Sequence, residues 1–172
     1  MKRISYSGEI VSVGIDVHRD HYTVCSILKR VIIQKVTMPS DPKKLILYLR
    51  SRFEGAEVRT AYEAGFSGFV LHRALESAGI SNIVVHAGSI EVASRDRVKT
   101  DSRDSHKLAD LLECGRLRGI RIPSIEEEQK RLMHRTREQL MKERCRFVNR
   151  IKMKLYQFGL ESPGRLSLRK LD

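Results

Sequence analysis

Ile10-Val-Ser-Val-Gly-Ile-Asp-Val17 is an apolar run with one acid near its end. Its composition fits a central β-strand. A carboxylate placed there is costly unless a cation or a proton offsets it. Asp16 is therefore read as a candidate metal ligand. The plainer alternative is an Asp that caps the turn at the strand end.

Two further strand-like runs follow, Tyr22 to Leu28 and Val31 to Met38, joined by the polar turns His18 to His21 and Lys29-Arg30. The simplest pairing is a three-stranded antiparallel meander. Pro42 opens a helix running to about Phe53, with Leu45, Ile46 and Leu49 on one face. Strands and helices then alternate. Glu57 to Glu63 reads as strand, Ser67 to Ala78 as helix ended by Gly79, Asn82 to Ala87 as strand, and Ser102 to Leu117 as helix. That element order is the order of a ribonuclease-H-like α/β fold, a mixed sheet flanked by helices.

Pro123 marks a break. From Ser124 to Phe158 there is no glycine or proline, and the segment reads as one long helix of coiled-coil type with Glu126 to Glu128 in its first turn. Leu132, Thr136, Leu140, Phe147, Ile151, Leu155 and Phe158 recur at three- and four-residue steps, and Arg144 interrupts the seam. Between Gln129 and Phe158 there are ten Lys or Arg against two Glu, so the remaining faces are basic. The expected domains are 1–122, a catalytic domain; 123–160, a helix for oligomerisation and nucleic-acid contact; and 161–172, a basic tail.

Three more acids stand in informative places. Glu63 closes its strand and precedes Ala-Gly-Phe-Ser-Gly68, while Asp101 and Asp104 lie three apart at the mouth of a helix, on one face. Carboxylate and water oxygens are what Mg²⁺ takes, and paired ions suit in-line displacement at phosphorus. Taken singly, Glu63 also reads as an exposed strand-end acid, and Asp101 with Asp104 as a capping pair. Asp20 and Asp96 belong to a polar turn and a charged loop, and are left aside. His18 and His21 lack further ligands at zinc spacing and read as solvated turn histidines. Tyr22, Tyr62 and Phe66 read as core or rim residues.

The chain carries 33 Lys plus Arg against 21 Asp plus Glu, a net charge of +12 over 172 residues. Such a balance calls for an anionic partner. With no long apolar run and no signal-peptide core, the expected setting is cytoplasmic and nucleoid-associated, with nucleic acid rather than a membrane as that partner. Cys25, Cys114 and Cys145 are odd in number and form no C-x-x-C pair, as expected of ordinary reduced thiols.

Gly14-Ile-Asp-Val17, Glu63-Ala-Gly-Phe-Ser-Gly68, Val98-Lys-Thr-Asp-Ser-Arg-Asp104 with Lys107-Leu-Ala109, and the later Arg137, Leu140, Arg144, Asn149-Arg-Ile-Lys152 pattern resemble the N-terminal part of the DEDD transposases of bacterial insertion sequences. That family includes pilin-gene-inverting recombinases and bridge-RNA-guided recombinases. The resemblance implies a RuvC-like domain whose Asp, Glu, Asp, Asp tetrad binds Mg²⁺ or Mn²⁺, here Asp16, Glu63, Asp101 and Asp104. It further implies DNA and a guide RNA as partners, while the apolar seam of the long helix points to a homo-oligomer, dimer or tetramer. Arg97, Lys99, Arg103, Lys107, Arg137, Arg144, Arg150 and Lys152 are the expected nucleic-acid contacts. Two departures stand out: Ser105 where the family usually has Ala, and His86-Ala87 where Asn-Pro is frequent. The family also continues into a second domain whose serine attacks DNA, so 161–172 reads as the start of that domain. The expected function is a Mg-dependent transposase or site-specific recombinase, incomplete as this chain alone. A stand-alone junction-resolving nuclease and a non-catalytic nucleic-acid-binding dimerisation module are the alternatives.

Overall fold

The computed structural model describes residues 5–86, 88 and 101–161, without the side chains of residues 101 and 102. The elements run β1 (Ile10–Val17), β2 (His21–Leu28), β3 (Val31–Pro39), α1 (Pro42–Arg52), β4 (Glu57–Glu63), α2 (Val70–Ser77), β5 (Ser81–Val85), α3 (Asp101–Glu113) and α4 (Ile125–Gln157). Two compact units divide the chain, residues 1–122 and 123–172. Arg97, Lys99 and the tail beyond residue 161 lie outside the described residues.

In the first unit the five strands form one sheet in the order β3-β2-β1-β4-β5. β1 pairs antiparallel with β2 and parallel with β4, and β4 pairs parallel with β5. A meander extended on its first strand by parallel crossover strands is the ribonuclease-H-like topology. β1 is its centre, and both of its faces are covered. Val11, Val13 and Ile15 join Tyr22, Val24, Tyr62 and Val84 in a core with Leu45, Leu49 and Phe53 of α1 and Leu71 and Leu75 of α2. Each such side chain, once fully buried, contributes about 1.5–3 kcal/mol. The opposite face packs against α3 through Cys25, Ile27 and Ala109.

That second face is built for close approach. A Cβ at Gly14 would lie 2.0 Å from the carbonyl oxygen of Ser105, 2.5 Å from the amide nitrogen of Ala109 and 2.9 Å from the Cβ of Leu108. Only glycine fits beneath this helix backbone. Ser105, fully buried, is small enough for the same contact.

The far end of α3 fixes its direction. The Glu113 carboxylate accepts from the backbone N–H of Arg30 at 2.8 Å, and the Arg30 guanidinium donates to Cys114 Sγ at 3.2 Å. These contacts reach the β2–β3 turn, where Lys29 and Arg30 sit at φ 51° and 64°. Left-handed backbone costs a non-glycine residue roughly 1–2 kcal/mol; these bonds offset it. Because β2 is antiparallel to β1, this turn lies at the start of β1. α3 therefore runs antiparallel to β1, and its N-terminus lies at the C-terminal end of β1.

Two helix boundaries differ from the sequence pattern. α2 begins at Val70 rather than Ser67, because residues 65–68 form a turn closed by Gly68 N–H to Gly65 O, with Gly68 at φ 59°. α3 ends at Glu113 rather than Leu117: Gly115 takes φ 66°, and Arg116 N–H donates back to Leu111 O while Gly115 N–H donates to Leu112 O. This is a Schellman ending. α2 and α4 stop in the same way at Gly79 and Gly159.

In the second unit α4 spans 33 residues, roughly 50 Å at 1.5 Å per residue. Ser124 and Glu127 close a reciprocal capping box, and Glu126, Glu127 and Glu128 occupy the positive end of the helix dipole. A Lys130–Glu126 pair at 2.6 Å adds one i,i+4 contact. No residue of α4 is buried. Among the described residues no helix is long and apolar enough to cross a membrane.

Candidate metal and nucleic-acid site

Parallel pairing of β1 with β4 sets Ile15 against Tyr62, so the next residues on the two strands are Asp16 and Glu63. Neighbouring strands lie about 4.8 Å apart, and partners in a parallel pair share a face. Asp16 alternates with Gly14 and so lies on the α3 face. Both carboxylates stand at the strand ends beneath the N-terminus of α3. Asp101 is the first residue of that helix, and half-buried Asp104 lies three residues on, one turn before Leu108.

The end of β4 is held firmly. Ala64 N–H donates to Val85 O at 2.7 Å, and the buried Tyr62 hydroxyl donates to Gly68 O at 3.1 Å, pinning the turn after Glu63. On the neighbouring strand, Asp16 is 22% exposed and its Oδ2 lies 3.0 Å from Nε2 of His18. The His18 ring stacks on that of His21, with centroids 4.6 Å apart and planes 18° from parallel. His18 is thus a partner of the candidate ligand rather than a merely solvated turn residue. The signal was present: residues i and i+2 of a strand share a face.

The four acids are brought to one edge of the framework, but their described side chains do not close on a common point. Among the described residues no group of three or more His, Cys, Asp or Glu side chains is placed to hold a metal ion. Asp16 is turned to His18, and the side chain of Asp101 is outside the described atoms.

Of the expected nucleic-acid contacts, Arg103 is exposed and Lys107 half-buried, one turn apart on α3. Arg137, Arg144, Arg150 and Lys152 are all exposed along α4, in the other unit. Arg150 lies over the Phe147 ring at 5.3 Å. Tyr22 and Tyr62 are core residues, whereas Phe66, three residues past Glu63, is 73% exposed. All three cysteines are free. Burial beneath α3 pushes the Cys25 thiol up from its ordinary range, with Lys35 opposing, so it stays protonated and inert.

A ribonuclease-H-like sheet with acids at the ends of its first and fourth strands defines a class of domain rather than one activity. The comparisons narrow it. The model of the DEDD transposase family of IS110 type, described as transposase, matches residues 13–159. The transposase for insertion sequence element IS1533 of Leptospira borgpetersenii is 31% identical over 135 residues, 76% of this chain and 39% of that protein. The protein y4rJ of Sinorhizobium fredii, which also carries a transposase name, is 40% identical over 106 residues, 57% of this chain and 26% of its own length. Among solved structures, RuvC of Thermus thermophilus is similar at a TM-score of 0.45 and 13% identity, over 64% of this chain and 99% of that one. This chain belongs to the DEDD transposase family. It matches well under half the length of these two relatives.

Proposed function

We propose that this chain carries the strand-cleaving and strand-exchanging site of a DNA transposase, formed by Asp16, Glu63, Asp101 and Asp104 with Mg²⁺ or Mn²⁺. One observation carries the reading: Asp16 and Glu63 end adjacent parallel strands beneath the N-terminus of the helix that bears Asp101 and Asp104. The donor set fits a hard divalent ion, since all four groups offer carboxylate oxygens. The positive end of α3 eases the repulsion among them. When bound, such an ion supplies Lewis acidity and a stronger oxygen nucleophile for displacement at phosphorus.

The remaining roles fall to the cations and the long helix. Arg103 and Lys107, with Arg97 and Lys99, hold phosphate beside the acids. Arg137, Arg144, Arg150 and Lys152 bind the backbone of DNA and of a guide RNA. Leu132, Leu140, Phe147, Ile151 and Leu155 pair α4 with a second copy, giving a dimer or tetramer that sets two sites in a fixed relation.

The test is cleavage of a labelled branched DNA in Mn²⁺, with DNA binding measured alongside. Asp16→Asn and Glu63→Gln should lower the rate about 10²- to 10³-fold, the scale for losing one group that stabilises developing charge. Binding should persist. A wild-type rate above background that both variants retain in full would exclude these acids from the chemistry.

A further inference from the structure

His18 is placed by three constraints, none of which comes from Asp16. Its backbone N–H donates to His21 O at 2.9 Å, its ring stacks on the His21 ring, and the turn between them is tied down from the β3–α1 junction. There Ser40 N–H donates to Asp20 O at 3.2 Å, and the Ser40 hydroxyl donates to Arg19 O at 2.6 Å. Asp16 and His18 lie on one face of the sheet, opposite Thr23 and His21 of β2. An ionised carboxylate, the form that binds a metal, has only acceptors to offer, so with Asp16 in that form Nε2 is the donor in the 3.0 Å bond to Oδ2.

We propose that His18 is the positioning residue for Asp16, fixing the orientation of its carboxylate so that the opposite oxygen is directed toward the ion. This rests on Asp16 being a metal ligand. An Asp at a strand end has rotamer freedom that ion binding would have to remove. A hydrogen bond from a ring already held in place removes it beforehand. Ligating carboxylates are commonly held in this way, and loss of an outer partner typically costs 10- to 100-fold in affinity or activity. The stacked imidazoles thus place a ring donor beside Asp16, where the sequence alone places only a polar turn.

The experiment is calorimetric titration of the folded chain with Mn²⁺, comparing wild type, His18→Leu, His18→Gln and Asp16→Asn, with thermal melts of each. The amide of His18→Gln reaches about as far as Nε2 and retains a donor. His18→Leu should weaken Mn²⁺ about tenfold with an unchanged melt, the lower end of the range for outer partners. His18→Gln should restore binding to near the wild-type value, which a purely structural role would not require. Unchanged or tighter binding in His18→Leu, with weakened binding in Asp16→Asn, overturns the positioning role and leaves the metal site standing. Failure of His18→Gln to restore binding overturns it as well. Unchanged binding in Asp16→Asn overturns the site itself, and the role of His18 with it.

Discussion

β1 is buried on both faces, by α1 and α2 on one side and by α3 on the other, whereas the 33 residues of α4 include not one that is buried. Leu132, Leu140 and Phe147 of α4 are between 58% and 65% exposed, the reverse of Val11, Val13 and Ile15 at 0%. The contrast separates two uses of apolar sequence. In the first unit burial fixes a backbone framework, and the framework holds acids that would otherwise repel one another. In the second, the apolar seam of α4 is not buried, and assembly and phosphate contact are the roles proposed for its apolar and charged faces.

Gly14 is where that contrast breaks most sharply. Gly14→Ala would press a methyl group against the backbone of Ser105 and Ala109, atoms that cannot swing aside. Overpacking of this kind costs about 1–3 kcal/mol, and the upper end is expected here. A denaturant midpoint should fall accordingly in the first unit, with the helical signal of α4 preserved. An unchanged midpoint would mean that α3 does not press on β1 as closely as described.

Substitutions on α4 should do the opposite, changing association while leaving the fold of the first unit intact. Replacing Arg144, Arg150 and Lys152 by Ala removes up to three phosphate contacts, and each contributes about 0.9 to the slope of log affinity against log salt. A slope shallower by about 2 to 3 is expected, and an unchanged slope would place the phosphate contacts elsewhere. If α4 pairs copies as proposed, Leu140→Asp with Ile151→Asp should give a monomer in light scattering where the wild type is larger. A wild-type chain already monomeric at tens of micromolar, the order of concentration that reveals a modest interface, would remove the assembly role.

The same division explains what the sequence made legible. The order of elements along the chain was readable because apolar runs and glycine stops are local, and the end of α4 at Phe158, followed by Gly159 at φ 67°, was legible for that reason. Gly115 was read through, since the periodic pattern continues to Leu117 while the backbone turns at φ 66°. The start of α2 was placed three residues early, at Ser67, because the turn after Glu63 extends through Gly68 at φ 59° before the helix begins at Val70. Gly14 was quoted as part of a motif, but its contact with Ser105 joins positions ninety-one apart, which no local pattern encodes. The four carboxylates were singled out from their local contexts, and their joint role as a site is the proposal above. His18 was set aside because a metal-ligand spacing was sought and a hydrogen-bond partner was not.

Diffraction from crystals soaked in Mn²⁺, recorded where manganese scatters anomalously, addresses the carboxylate site most directly. The expected result is an anomalous peak among Asp16, Glu63 and the first turn of α3, with oxygens about 2.0–2.2 Å away, as for small hard divalent ions, and loss of that peak in Asp16→Asn. A fully occupied peak elsewhere, or none at this edge in crystals that bind Mn²⁺ in solution, would contradict it.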